Sequence, residues 1–208
     1  MRGRPRKMTI APAAGRRLVA GRIFGVLAFT VLLASSPADA QRQPLDDPSA
    51  LQGEFLRAVA PLDEPRGLCI DIPGHRARVN VDAALVVHTC KWKIWNRDER
   101  FDRQALAKGD LRMPTYGLCL GVEAARDGAK IRLGNCDGAP LRRWTFVDQR
   151  LRLTAAMNMC LTIGPEPSEL TPGGRRLPSR HVARSLGLAP CMGSASDRQL
   201  WQFVMPDR

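Results

Sequence analysis

Short runs of apolar residues alternate with turn-forming residues along most of the chain, and this pattern predicts β-strands. Three of the runs end in a cysteine, at 85–90 (LVVHTC), 131–136 (IRLGNC) and 186–191 (LGLAPC). Alternation at 110–113 (DLRM) and 150–153 (RLRL) predicts further short strands. Gly, Pro, Asn and Asp lie between these segments and favour turns. We therefore predict an all-β protein.

The N-terminal part of the chain has the three-part layout of a secretory signal peptide. Residues 1–22 are basic with no acid, 23–34 is an uncharged apolar run, and small residues lead up to Ala40. The apolar run is shorter than the roughly 20 residues that a membrane-spanning helix needs. We predict a signal peptide over 1–40, a flexible leader over 41–51, and a secreted or periplasmic mature protein without a transmembrane segment. An uncleaved membrane anchor is the alternative.

The composition is that of a globular protein of moderate positive charge. The chain has 208 residues, of which 44% are hydrophobic and 25% charged, and this argues against a disordered chain. About half of the formal net charge of +12 lies within the first forty residues. The mature part is therefore only moderately basic, and we predict no nucleic-acid partner.

Six cysteines follow the signal segment, and they occur in two repeated contexts. An even number of cysteines in an exported protein favours three disulfides, although six cysteines allow 15 pairings and free buried cysteines are the alternative. Cys69, Cys119 and Cys160 share one context, in which an apolar residue stands on each side. The other three are Cys90, Cys136 and Cys191, each at the end of an apolar run.

An aromatic residue follows each cysteine pair, at Phe101, Trp144 and Trp201. The order of first cysteine, second cysteine and aromatic thus recurs three times, in repeats of about 52–108, 109–149 and 150–208. Three such units of short strands predict a closed, three-fold all-β architecture. An aromatic residue repeated by this symmetry is expected to fill the core.

With these markers the chain resembles the ricin-B-type lectin family over about residues 52–208. The resemblance implies a β-trefoil of three disulfide-stapled repeats and a carbohydrate as partner. It also implies that the cysteines pair within each repeat, as Cys69–Cys90, Cys119–Cys136 and Cys160–Cys191.

In this family a sugar pocket lies within one repeat, and the resemblance implies that the first repeat is the best candidate. An Asp two residues after the first cysteine accepts hydrogen bonds from sugar hydroxyls; here it is Asp71. A ring two residues before the second cysteine stacks on the sugar; here it is His88. The Asn-Gln pair of the family aligns with Asp98 and Glu99.

The other two repeats have lost most of these residues. Gly121 and Gly134 replace the Asp and the ring in the second repeat, and Thr162 and Ala189 replace them in the third. Gln199 is the remaining polar candidate, in the Gln-x-Trp motif of the third repeat. Any working family-type pocket is therefore expected in the first repeat.

Two further segments carry basic or aromatic residues. The segment 91–95 (KWKIW) follows Cys90 in a predicted loop, where Trp92 is a candidate for stacking on a sugar. The alternative is that Trp92 or Trp95 folds inward to cover the end of the barrel. The segment 164–185 is rich in Pro and Gly and predicts a long surface loop that carries four arginines.

No enzymatic motif accompanies these features. The sequence has no Gly-x-Ser-x-Gly elbow, no His-Glu-x-x-His and no phosphate-binding loop. We therefore predict a non-catalytic carbohydrate-binding protein with no metal and no cofactor. The alternative is an interaction or structural trefoil that has lost sugar binding and contacts a protein, an anionic glycan or another anionic envelope component through basic and aromatic surface.

Overall fold

The computed structural model describes residues 52–191 and 197–206. The signal peptide predicted for 1–40 and the leader predicted for 41–51 lie outside the described residues. In the described part of the chain, no helix has both the length and the apolar character needed to cross a membrane.

The described chain is built mainly of short antiparallel strands. In chain order they are β1 (Glu54–Ala58), β2 (Leu68–Asp71), β3 (Val86–Thr89), β4 (Arg100–Phe101), β5 (Arg112–Met113), β6 (Leu118–Val122), β7 (Ile131–Asn135), β8 (Trp144–Val147), β9 (Arg150–Leu153), β10 (Ala156–Ile163), β11 (Glu169–Leu170), β12 (Val182–Pro190) and β13 (Trp201–Val204). One short helix, α1 (Pro172–Arg176), lies between β11 and β12.

Six of the strands form a closed ring. β1 pairs with β13 on one side and with β4 on the other, and β8 pairs with β9. The bridges Asp102–Arg112 and Asp110–Arg143 join β5 to β4 and β8. The backbone N–H of Trp201 donates to the carbonyl oxygen of Gln149 over 2.7 Å and closes the ring beside β9. Closure pairs strand edges that would otherwise be open to other chains.

Three hairpins are attached to this ring, and they have the same register. The first cysteine of each hairpin lies opposite the residue two positions before the second cysteine: Cys69 opposite His88, Cys119 opposite Gly134, and Cys160 opposite Ala189. The hairpins are β2–β3, β6–β7 and β10–β12. Three equivalent hairpins on a six-stranded ring make a β-trefoil, so the predicted fold class is confirmed.

Each hairpin carries one of the disulfides that the resemblance implied. The sulfur–sulfur distances are 2.01 Å for Cys69–Cys90, 2.06 Å for Cys119–Cys136 and 2.08 Å for Cys160–Cys191. Each bond therefore staples a hairpin within one repeat and does not connect different repeats.

The repeated aromatic residues fill the core, as expected from their symmetry. Phe101, Trp144 and Trp201 are all buried. The indole N–H of Trp144 donates to the carbonyl oxygen of Leu120 over 3.0 Å, and that of Trp201 donates to Leu161 over 3.1 Å. Both acceptors directly follow the first cysteine of their repeat, so each indole ties a ring strand to its own hairpin. These bonds fix the hairpins, and with them the family-type binding positions, relative to the ring.

Candidate functional site

The structure brings four of the predicted site residues together in the first repeat. Asp71 is the last residue of β2, and His88 lies on the neighbouring strand β3. Asp98 and Glu99 belong to a single 3₁₀ turn, Arg97–Glu99, that leads into β4. The hairpin and the turn thus converge on one place, which we call the first-repeat cluster (Asp71, His88, Lys91, Asp98 and Glu99).

The centre of this cluster is the ammonium group of Lys91. Its Nζ donates to Asp71 Oδ1 and Oδ2, both at 2.9 Å, and to Asp98 Oδ2 at 2.6 Å. The Lys91 side chain is only 4% exposed. Lys91 lies in the loop predicted after Cys90, but its side chain is buried, because its ammonium points inward to neighbouring carboxylates.

Glu99 completes the cluster from the other side. Its Oε2 accepts a hydrogen bond from the backbone N–H of Lys91 over 2.9 Å, and its Oε1 lies 3.6 Å from His88 Nδ1. Glu99 Oε1 and Asp98 Oδ1 are buried oxygens without a hydrogen-bond partner. Acceptors of this kind are costly to bury. The cluster therefore holds more acceptor capacity than Lys91 satisfies.

Burial shapes the ionisation of the acidic groups. Burial, and then the charge of Asp98, raise the pKa of Asp71 well above its ordinary value. Burial likewise raises the pKa of Glu99 well above its usual range, against the opposing charge of Lys91. Burial alone would lower the pKa of Lys91, but the charges of Asp71 and the other two carboxylates outweigh it and raise that pKa. The lysine thus stays charged, and the acids hold protons at higher pH than free carboxyls do.

His88 is neutral over most of the pH range. Burial, followed by the charge of Lys91, lowers the pKa of His88 to about 4. Its Nδ1 donates to the carbonyl oxygen of Thr89 over 2.7 Å. The ring is therefore held in one orientation by its own strand.

The last residues of the segment 164–185 are ordered beside the cluster, which differs from the simple surface loop expected from the Pro and Gly content of the segment. Strand β12 begins within this segment and pairs with β3, so that Ala183 lies opposite His88. The ring of His181 meets the ring of His88 edge-on, with 5.1 Å between the centroids. The backbone N–H of Val182 donates to Thr89 Oγ1 over 2.9 Å. The end of the segment is thus anchored by its backbone on the edge of β3 and packs beside His88.

Access to the predicted sugar ligands is accordingly closed in this structure. Asp71 is 2% exposed, and Asp98 and Glu99 are 0% exposed. A sugar hydroxyl would reach the acidic groups only after Lys91 had moved. Sugar binding by Asp71, His88, Asp98 and Glu99 therefore stays a prediction, and it requires an opened form.

Trp92 and Gln199, the two remaining candidates, lie outside this cluster. The ring of Trp92 packs on Phe55, with 5.1 Å between the centroids, and its indole N–H donates to the carbonyl oxygen of Arg66 over 3.0 Å. Gln199 is buried in the third repeat, where its Nε2 donates to Thr162 Oγ1 over 2.9 Å. The Gln199 amide thus contacts Thr162, which stands at the family's Asp position in this repeat.

In the second repeat the same position is filled by Arg142. A Cβ atom at Gly121 would lie 2.5 Å from Arg142 Cγ, and one at Gly134 would lie 2.6 Å from Arg142 Nε. The two glycines therefore make room for this side chain, whose Nη1 donates to both oxygens of Asp137, at 2.9 and 2.8 Å. The sequence carried a signal for this arrangement, because Arg142 occupies the Gln position of the Gln-x-Trp motif.

The first-repeat cluster also contains a set of possible metal ligands. One ligand atom each from Asp71, His88 and Glu99 lies within 4.8 Å of the others. Lys91 Nζ lies 2.9 Å from Asp71 Oδ2 and 4.0 Å from Glu99 Oε1, so an ammonium already occupies the place of a cation. The donor set therefore serves the lysine in this structure.

Known proteins of this fold are similar to the chain. A designed three-fold symmetric protein, ThreeFoil, matches at 15% identity with a TM-score of 0.51, covering 74% of this chain and 99% of its own. The C-half of an earthworm R-type lectin, solved in complex with GalNAc, matches at 13% identity with a TM-score of 0.44, covering 73% and 98%. The β-trefoil lectin of a Vibrio vulnificus hemolysin/cytolysin, with N-acetyl-D-lactosamine bound, matches at 14% identity with a TM-score of 0.48, covering 74% and 95%.

Comparison at the level of sequence gives a family match but no match to an individual curated protein. The family model for the ricin-type beta-trefoil lectin domain matches residues 61–172, which is more than half of the chain. The matched range includes the cysteine pairs of the first two repeats and the first cysteine of the third. This chain therefore belongs to the ricin-type β-trefoil lectin domain family.

Proposed function

We propose that this protein is a non-catalytic carbohydrate-binding protein. The observation that carries the proposal is its membership of the ricin-type lectin domain family over residues 61–172. The structure supports a role without catalysis, because the clustered carboxylates Asp71, Asp98 and Glu99 are buried around Lys91. A glycosidase needs two carboxyl groups on either side of an accessible sugar bond.

The proposed place of action is outside the cytoplasm, in the medium or the periplasm. Three disulfides support this location, since such bonds persist in oxidising compartments. The basic and apolar segments of residues 1–40 have the layout of an export signal. N-terminal sequencing of the exported protein is expected to begin at Gln41, and a chain that keeps its first forty residues would contradict this.

The first repeat is the proposed place for a family-type sugar site, in an opened form. Only in the first repeat are the family's Asp position and ring position occupied by an acidic residue and a ring, which are Asp71 and His88. The buried Asp98 Oδ1 and Glu99 Oε1 provide acceptors that the chain itself does not satisfy. Sugar hydroxyls would have to take over the hydrogen bonds that Lys91 now donates.

A second candidate function is that of an interaction module that no longer binds sugar at the family positions. The specific observation in its favour is that the chain's own side chains fill all three positions, with Lys91 in the first repeat, Arg142 in the second and Gln199 in the third. Its partner would be a protein or an anionic envelope component.

A glycan array probed with the purified protein at low and at high salt distinguishes these functions. Binding of neutral glycans at both salt concentrations supports the lectin function, because such contacts depend little on screening. Binding of no glycan at either concentration rejects that function in favour of the interaction module.

The location of the site is tested by calorimetric titration of Asp71→Asn with the bound glycan. If the first repeat carries the binding, the loss of an ionised acceptor should weaken affinity by roughly 10- to 150-fold. Asp127→Asn, at an exposed position, is the matched control and should bind like the unmodified protein. Unchanged affinity in a folded Asp71→Asn variant would show that the sugar binds elsewhere.

A further inference from the structure

Three residues from equivalent places in the three repeats meet at one end of the ring. Arg103, Phe146 and Phe203 each stand two positions after the repeated aromatic residue. The rings of Phe146 and Phe203 lie 5.7 Å apart and edge-on, and the Cζ atom of Arg103 lies 5.5 Å from the centre of the Phe203 ring. Equivalent residues that contact each other must surround the pseudo-three-fold axis. We call the depression beside them the axial groove.

The axial groove is large enough for a sugar residue and is open to solvent. Its volume is about 580 Å³. Its lining includes the cationic Arg103, Lys108 and Arg143 and the aromatic Phe146 and Phe203, and the other lining residues are apolar or carry a hydroxyl group. The two phenylalanines are only partly buried although they pack against the core. Each therefore presents part of its ring to the groove.

The charge of the groove is positive. Among the described residues, no carboxylate is part of its lining. The nearest acidic partners are Glu54, whose Oε2 lies 3.8 Å from Arg103 Nη1, and Asp110, whose Oδ1 lies 3.5 Å from Arg143 Nη1. The Arg103 side chain is 63% exposed and the other three side chains are partly exposed, so solvent weakens both contacts. The groove thus keeps an excess of cationic donors.

We propose that the axial groove binds an acidic sugar residue, a pyranose that bears a carboxylate or a sulfate. The apolar C–H face of the pyranose packs on the exposed ring surface of Phe146 and Phe203. The anionic group accepts hydrogen bonds from Arg103 and Lys108, which form stronger bonds to an ionised acceptor than to a neutral one. The proposal rests on the proposed carbohydrate-binding function and assigns it a ligand class and a place outside the three repeat positions.

Two probes separate the sources of the anionic group. The first is a trimer of galacturonic acid, with its neutral methyl ester as the matched ligand control. The second is a sulfated galactose oligosaccharide, with the unsulfated oligosaccharide as its control. We expect at least one acidic probe to bind and its neutral counterpart to bind about tenfold or more weakly. Equal binding of the acidic and neutral members of both pairs would overturn the proposal.

Paired variants then locate the binding. Arg103→Gln with Lys108→Gln removes two charges from the groove, and both side chains are exposed, so folding should be retained. Arg175→Gln with Arg176→Gln removes the same charge from exposed positions on α1, which is not part of the groove. Titration should show a loss of about tenfold or more for the groove pair and less than twofold for the α1 pair. Phe203→Leu, checked by thermal melting, should also weaken binding.

The possible results distinguish the proposed binding site in the groove from the proposed carbohydrate-binding function as a whole. Equal losses of affinity in the two double variants would show general electrostatic attraction and would overturn the proposal that the groove is the binding site. Neutral glycans that bind on the array, with no effect of the groove variants, would leave the lectin function standing and reject the groove. Binding of no glycan, acidic or neutral, would reject both.

Discussion

At the scale of single residues, Lys91 lies at the centre of the first-repeat cluster. Its ammonium is the only cation in contact with Asp71 and Asp98 among the ion pairs of the described chain. The lysine both satisfies these acids and keeps a ligand from reaching them. Its removal therefore tests stability and access together.

We expect Lys91→Met to lower the free energy of unfolding by about 3–5 kcal/mol at neutral pH, because it leaves buried acids without a compensating charge. Urea denaturation measures this change. Lys93→Met, two residues away at an exposed position, is the matched control and should change stability by less than about 0.5 kcal/mol. A Lys91→Met protein as stable as the control would mean that the ammonium does not hold the cluster together.

His88 gives the protein a sensitivity to mild acid. Burial lowers its pKa from about 6.5 to about 4, so between these values the unfolded chain binds a proton that the folded chain does not. Stability due to this residue is therefore complete above about pH 6.5 and is lost as the pH falls towards 4. The raised pKa values of the neighbouring acids have the opposite effect on the pH dependence of stability. These acids are present in both proteins compared below.

We expect His88→Gln to remove this loss, so that between pH 7 and pH 4 the variant loses roughly 2–3 kcal/mol less stability than the unmodified protein. Chemical denaturation at several pH values gives the difference curve. Parallel curves for the two proteins would contradict the buried, neutral state of His88.

The residues of the cluster could be predicted from sequence only in part. The family resemblance pointed to Asp71 and His88, and the structure places them on paired strands of one hairpin. The direction of Lys91 could not be predicted, because a lysine after a strand is usually solvated. Its burial depends on three acids that approach from two separate segments.

At the scale of elements, the connection between β8 and β9 is a two-residue turn under strain. Asp148 and Gln149 both have positive φ angles, of 50° and 59°. Tight hairpins of this kind favour Asn or Asp followed by Gly, because other side chains in this conformation crowd the backbone. The carbonyl oxygen of Gln149 in this turn accepts the hydrogen bond that closes the ring.

We expect Gln149→Gly to raise the free energy of unfolding by about 0.5–1 kcal/mol, because glycine adopts a positive φ without a steric penalty. Thermal and urea denaturation measure the gain. Gln104→Gly, at a residue with a φ of −71°, is the control and should be neutral or destabilising. A loss of stability in Gln149→Gly would show that its side chain contributes more than the strain costs.

The segment 164–185 shows why the start of β12 was not predicted. Its Pro and Gly residues indicate a loop, and β11 and α1 within it are very short. The extension of β12 to Val182 depends on pairing with the edge of β3, nearly a hundred residues earlier. Strand pairing over this distance leaves no pattern in the local sequence. The strands of the three hairpins, in contrast, were visible in the sequence as apolar runs.

At the scale of the whole molecule, the three disulfides differ in their access to solvent. Both sulfur-bearing residues of Cys69–Cys90 are buried, with Trp92 packed against them. Cys136 is exposed and Cys191 is half-buried, so the other two bonds each offer one accessible end. A thiolate must reach a sulfur atom to reduce a disulfide.

We expect mild reduction of the folded protein to open Cys119–Cys136 and Cys160–Cys191 before Cys69–Cys90. Timed reduction without denaturant, followed by alkylation and peptide mapping, gives the order. Simultaneous reduction in denaturant, where burial no longer differs, is the control. Early alkylation of Cys69 in the folded protein would contradict the order.

The overall architecture was the part most open to prediction, since three-fold recurrence of cysteine and aromatic positions constrains the whole chain at once. The joining of the first strand to the last was not visible in any segment. Closing six strands into a ring leaves none of them with an unpaired edge.

That closure has a mechanical consequence. In the antiparallel pair of β1 and β13, Phe55 lies opposite Val204 and Ala58 lies opposite Trp201, so the outer ends of both strands are neighbours. A pulling force applied to the two outer ends would load the hydrogen bonds one after another, as in a zipper, and would not shear them together. The ring is thus expected to open at low force. The three disulfide loops, with sequence separations of 21, 17 and 31 residues, would then stay locked and shorten the length of chain released.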